Sequence, residues 1–148
     1  MKNIFKLWAL AAVLLGFQAC TEDHSYEDES DPVLSYYQIV GTWKLAEWNG
    51  ENMESGDRYV YMVLESKERT FKIYQNIESA QPREMTGTFE LVYDDEACVN
   101  IVSGMYDHEF GFWNNDYIVT KKDEDTMIWT VSGNPSDVSV YRRCSGQE

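Results

Sequence analysis

From about Val33 onward, apolar and polar residues alternate with a period of two, and turn residues recur every several positions. In the stretch TFKIYQ, Phe71 and Ile73 fall on one face while Lys72 and Tyr74 fall on the other. In TGTFELVY, Phe89, Leu91 and Tyr93 oppose Thr88, Glu90 and Val92. In TMIWTVS, Met127, Trp129 and Val131 oppose Ile128 and Thr130. Successive side chains leave a strand on opposite faces, so this pattern marks antiparallel strands buried on one side. Tyr59 to Leu64 is apolar on both faces, which calls for a cover of loop or partner over the second face. The pattern predicts eight strands at 42–48, 58–65, 70–75, 83–93, 97–102, 116–121, 126–132 and 138–142. No segment of useful length carries the helical period. Short strands with regular turns predict an all-β sandwich or barrel.

The connections sharpen that choice. Residues 49–57, 76–82, 103–115 and 133–137 form the longer or middling connections, and SKER, DDE and KDEDT form short charged ones. In an up-and-down meander, successive connections alternate between the two ends. The longer loops then gather at one end and the tight charged turns at the other. The expected fold is an eight-stranded antiparallel up-and-down barrel with a loop-rich mouth and a closed base, the geometry of a ligand-binding cup. A barrel of this size is either packed solid or holds one small ligand, and the pattern leaves both open.

The start of the chain reads differently. Lys2 and Lys6 precede an uncharged run from Leu7 to Phe17, LWALAAVLLGF. A helix that spans a bilayer core needs about 20 residues, so this run is too short to cross. A positive start and a short apolar run instead fit a secretory signal peptide, here residues 1–19. After Cys20, the stretch TEDHSYEDESDP is strongly acidic and has little apolar surface to bury. Residues 20–33 therefore read as a disordered tether, with His24 a solvated member of it, and 34–148 as the folded domain.

Composition narrows the partners. Among 148 residues, 26 are acidic and 12 basic, a formal net charge of −14. Such a charge repels phosphate backbones and argues against a nucleic-acid partner. Two histidines and three cysteines leave little for a metal site. Asp107-His108-Glu109 is the one place in the domain where a histidine has neighbouring carboxylates, and a zinc site needs three or four converging ligands. The acidic runs Asp94-Asp95-Glu96 and Asp123-Glu124-Asp125 read as solvated turns in preference to calcium loops. No nucleophile-elbow or phosphate-loop spacing is present. The expectation is a non-enzymatic protein with no cofactor and no metal.

Two resemblances add to this reading. Phe17-Gln18-Ala19-Cys20 resembles a bacterial lipobox, with a small residue directly before the cysteine. That resemblance implies cleavage before Cys20, a thioether-linked diacylglycerol on its sulfur and usually an N-acyl chain on its amine, with acyl groups of the palmitate kind. The acidic run after Cys20 resembles the surface-export signal of Bacteroidetes lipoproteins, which implies an outer-membrane anchor facing the cell surface. Separately, Gly41-Thr42-Trp43 at the first strand and Val140-Tyr141-Arg142-Arg143 at the last resemble the signature of lipocalins and their calycin relatives. Residues 36–143 are similar in layout to small lipocalin-like lipoproteins of Bacteroidetes. The resemblance implies that Gly41, Trp43 and an arginine form a structural signature, with the guanidinium stacked on the indole at the barrel base. Arg142 is the expected partner, because it shares parity with Val138 and Val140. Tyr36 to Ile39 is the expected turn of helix plugging the base. As in many lipocalins, Cys98 and Cys144 could staple the base by a disulfide, with two unpaired thiols as the alternative.

At the mouth, Trp48 and Met53 flank the first long loop, and Met105, Tyr106 and Trp113 belong to the longest one. Aromatic residues and methionine are enriched at recognition surfaces, so these five are the candidate ligand contacts. Phe110 and Phe112 are expected to turn inward and seal the barrel. The functional expectation is a monomeric, membrane-anchored binding module for a small apolar or glycan-related ligand. The alternative is an accessory lipoprotein that docks on a protein partner through the loop-rich end of a filled barrel.

Overall fold

The structure, a computed structural model, describes residues 33–77, 81–107 and 111–145. The expected signal peptide, Cys20 and the tether up to Pro32 lie outside the described residues, as do His108, Glu109 and Phe110. The described chain opens with a single turn of helix, α1 (Tyr36–Ile39). The strands that follow are β1 (Gly41–Trp48), β2 (Glu51–Asn52), β3 (Val60–Glu65), β4 (Thr70–Gln75), β5 (Arg83–Asp94), β6 (Val99–Tyr106), β7 (Tyr117–Asp123), β8 (Thr126–Val131) and β9 (Asn134–Cys144).

Every neighbouring pair is antiparallel, and β9 returns to pair with β1, so eight strands close into an up-and-down barrel. Closure removes the open sheet edge, with only two-residue β2 added beside the end of β1. All eight expected strands are present. Two run further than their apolar pattern. β6 continues through Ser103-Gly104-Met105-Tyr106, and β9 begins at Asn134, so the last connection is a tight turn at Ser132-Gly133.

The lower half of the barrel is filled. Trp43, Leu64, Phe71, Phe89, Val102, Val119 and Met127 are buried there, each supplied by the inward parity of its strand. Helix α1 plugs the base, with Ile39 fully buried and accepting the Trp43 Nε1–H bond through its carbonyl at 2.8 Å. Buried Asn100 fixes the approach to that plug, its Oδ1 accepting the Leu34 N–H at 2.7 Å. The Tyr36 hydroxyl accepts the Leu91 N–H at 3.0 Å from the adjacent strand β5.

The arginine on Trp43 is Arg143, not Arg142. Its guanidinium carbon lies 4.2 Å from the ring centroid, and Nη1 donates to the Val40 carbonyl at 2.9 Å. The register explains the correction: Arg143 is paired directly with Trp43, whereas Arg142 faces outward beside Lys44. Val138 and Val140 are apolar but share that outward parity, while Ser139 and Tyr141 face the lumen. Gly41 has φ +127° and is crossed by the Arg143 guanidinium, which a Cβ there would overlap.

Cys98 and Cys144 are both free thiols. Cys98 sits in the β5–β6 turn with φ +55°, and Cys144 pairs with Thr42 at the end of β9. Strands β6 and β9 are separated by β7 and β8. Each of the three spacings between them is about 4.8 Å. Disulfide-linked Cα atoms lie within about 7 Å of each other, so the barrel wall holds the two cysteines too far apart.

Candidate functional site

Above the filled floor the barrel is hollow. A cavity of about 340 Å³ occupies its upper half, at the end where the longer connections gather. One wall, from β3 to β5, is mainly apolar, with Val60, Met62, Ile73 and Met85, and carries the buried amide of Gln75. The other wall is a run of touching rings. Centroid distances are 5.9 Å for Trp113–Tyr117, 5.5 Å for Tyr117–Trp129 and 5.7 Å for Trp129–Tyr141.

Two irregularities shape the lumen. Ala46 is an extra residue in β1 opposite β9, a bulge that re-aims the side chains beyond it. Leu45 and Trp48 therefore both line the cavity although they are three apart. Pro135, Ser136 and Asp137 are extra residues in β9, lying between the Thr130–Val138 and Val131–Asn134 pairs. Asn49 holds that second bulge: its Oδ1 accepts the Val138 N–H at 2.7 Å, and its own N–H donates to the Val138 carbonyl at 2.8 Å. Asp137 is thereby placed half-buried at the rim, where its Oδ1 accepts the Trp48 Nε1–H bond at 3.1 Å.

Trp113 enters through a gap in the wall. Strands β6 and β7 are paired only at Ile101–Ile118 and Val102–Tyr117. Beyond Val102 the segment 111–113 takes the place of β7, with Met105 bridged to Phe112 and the Trp113 N–H donating to the Gly104 carbonyl at 2.8 Å. The alternation of this segment sends Trp113 inward, 4.9 Å from the Phe71 ring, and Phe112 outward. Phe112 is 77% exposed, so the inward seal expected of it belongs to Trp113 instead.

Of the five expected contacts, Trp48, Tyr106 and Trp113 line the cavity together. Met53 and Met105 do not. Met53 is buried against Leu45 and Val60 at the β1–β3 seam, drawn there by its N–H bond to the Ala46 carbonyl. Met105 has outward parity on β6 and borders a shallow outer groove with Phe112. The sequence-based expectation did not include Tyr117, Trp129, Asp137 and Tyr141, which sit in strands or a bulge; inward parity on β7 and β8 is the signal for Tyr117 and Trp129, whereas the register of β9 against β1 places Tyr141 and the β9 bulge places Asp137.

Polar side chains also line the lumen: Gln75 from β4, Asn114 and Asn115 ahead of β7, and Asp137 and Ser139 from β9. Among the described residues, Trp113 Nε1 and Trp129 Nε1 are buried donors without a partner. Burial raises the Tyr117 hydroxyl pKa, opposed by a hydrogen bond with Asn115 and reinforced by the Asp137 charge. Burial raises that of Tyr141 much further, with Tyr117 adding to it. Both rings therefore present neutral hydroxyls at physiological pH. The acidic turns at the base serve their own backbones: Asp94 Oδ1 accepts the Glu96 and Ala97 N–H groups, and Asp123 Oδ1 accepts that of Asp125. Comparison with protein-family models, curated proteins and solved structures returned no match.

Proposed function

We propose that the protein is a lipid-anchored, non-catalytic binding module whose barrel takes one small, largely apolar ligand into its upper half. The observation that carries this is the half-filled interior. A solid floor of Trp43, Phe71 and Phe89 supports a cavity of about 340 Å³. Ligand sites typically start at about 300 Å³, so the space suits a single small molecule. The closed eight-stranded barrel is consistent with a lipocalin-like binding fold. The lipobox-like residues before Cys20 and the acidic run after it support an anchor in the outer membrane, facing the cell surface.

Native mass spectrometry of the soluble domain purified from its host tests the binding role. A co-purifying small molecule, lost on substitution of Trp129 by a smaller residue, is the expected result. A ligand-free protein after mild extraction, with no response of the Trp129 indole N–H to a library of small amphiphiles, would overturn it.

A further inference from the structure

The rim carboxylate gives the cavity a sign. Among the described residues that line it, Asp137 alone carries a formal charge, and no lysine or arginine is present. The side chain is held in place. The β9 bulge fixes its backbone through Asn49, and Trp48 donates to Oδ1, which leaves Oδ2 without a partner among the described residues. Beneath it runs the aromatic wall of Trp113, Tyr117, Trp129 and Tyr141. The faces of such rings carry negative quadrupole density, which attracts cations and repels anions. An anionic head group in this cavity would meet a carboxylate, aromatic faces and no compensating base. The net charge of −14 adds a long-range attraction for cations.

From this arrangement we infer that the ligand is an amphiphilic amine, its ammonium group seated between Asp137 and the aromatic wall and its apolar body against Val60, Met62, Ile73 and Met85. This inference rests on the cavity being a binding site and names the chemical class that the site takes. Burial chiefly raises the pKa of the Tyr117 hydroxyl and the Asp137 charge adds to it, in keeping with a carboxylate close to the lumen.

Three probes with one body and different heads test it: phenylbutylamine, phenylbutanol and phenylbutyrate. Each is titrated calorimetrically into the chain from residue 20 to residue 148 carrying Cys20→Ser, which retains every described residue. The Trp129 indole N–H resonance is followed in parallel. The amine is expected to bind roughly tenfold more tightly than the alcohol, with the carboxylate weakest, as a carboxylate and aromatic faces acting together predict. Asp137→Asn retains an acceptor oxygen for Trp48. It should remove roughly that tenfold preference while leaving the alcohol's affinity within about twofold.

If phenylbutyrate binds as tightly as the amine, or the amine's advantage survives Asp137→Asn, the cationic ligand class is wrong. A shifting Trp129 signal would in that case leave the binding cavity standing. If none of the probes moves that signal, the cavity reading fails and the ligand class with it. The head-group comparison needs no variant, so a poorly folding Asp137→Asn protein does not remove the test.

Discussion

Gly104 of β6 lies directly beneath the indole of Trp113, so closely that a Cβ at position 104 would overlap the ring. The glycine is a space requirement, because its inward-facing position would otherwise fill the volume the tryptophan occupies. Gly104→Ala should therefore displace Trp113 and destabilise the domain by about 1–3 kcal/mol, the usual cost of overpacking. The ring is the shared cause, so Trp113→Leu should cost less in the Gly104→Ala background than alone. A double-mutant cycle by urea denaturation checks this; purely additive effects would show that the two positions do not share that space.

The stacking of Arg143 on Trp43 makes a second prediction, because the neighbouring arginine serves as its control. Arg143 contacts the indole, donates to Val40 and Glu124 carbonyls, and lies 3.6 Å from Asp125. Arg143→Ala should lower unfolding stability by about 1–2 kcal/mol through the lost cation–π contact and base-sealing hydrogen bonds. The exposed pair with Asp125 adds little to that. Arg142→Ala should stay within about 0.5 kcal/mol, as surface changes usually do. Equal urea midpoints for the two variants would remove the guanidinium from any sealing role.

That pair also shows where sequence reasoning succeeded and where it lost register. The barrel was legible because Phe71, Phe89 and Met127 recur on alternating positions between turn residues. Nothing local distinguishes Arg142 from Arg143. Val138 and Val140 suggest one inward face, yet Tyr141 and Ser139 occupy it, because pairing with β1 around the Ala46 bulge fixes the parity. The cavity was legible in part. Trp48, Tyr106 and Trp113 stood out as aromatics near long connections. Asp137 did not, since its position depends on a bulge held by Asn49 from the far end of the chain. Cys98 and Cys144 looked like partners only because both fall at the base, where the circumference of the barrel keeps them apart.

The lumenal tyrosines predict how stability responds to alkali. Tyr117 and Tyr141 hold their protons in the folded state above the ordinary tyrosine range, chiefly because burial disfavours the phenolate. In the unfolded chain both ionise near about pH 10. The unfolded state then binds fewer protons than the native state, so the stability contributed by these groups is fully present below about pH 10 and falls as pH rises beyond it. Urea midpoints should be level from about pH 8 to about pH 10 and decline above that. Tyr141→Phe should make the decline shallower, since it removes the more strongly shifted group. An unchanged slope in that variant would assign the alkaline loss to other groups.

The proposed anchor leads to a prediction in which the two parts of the N-terminal segment separate. If Cys20 carries two or more acyl chains, the anchor is stable, whereas a single chain gives only marginal membrane binding. Cys20→Ala should therefore move the protein from the membrane pellet to the soluble fraction while the barrel stays folded. Replacing Glu22, Asp23, Glu27, Asp28, Glu29 and Asp31 by their amides should leave the protein in the pellet but withdraw it from protease added to intact cells, because only the address has changed. A Cys20→Ala protein that still pellets would refute lipidation as the means of attachment. Amide variants that remain protease-accessible would separate surface exposure from the acidic run and leave the anchor assignment intact.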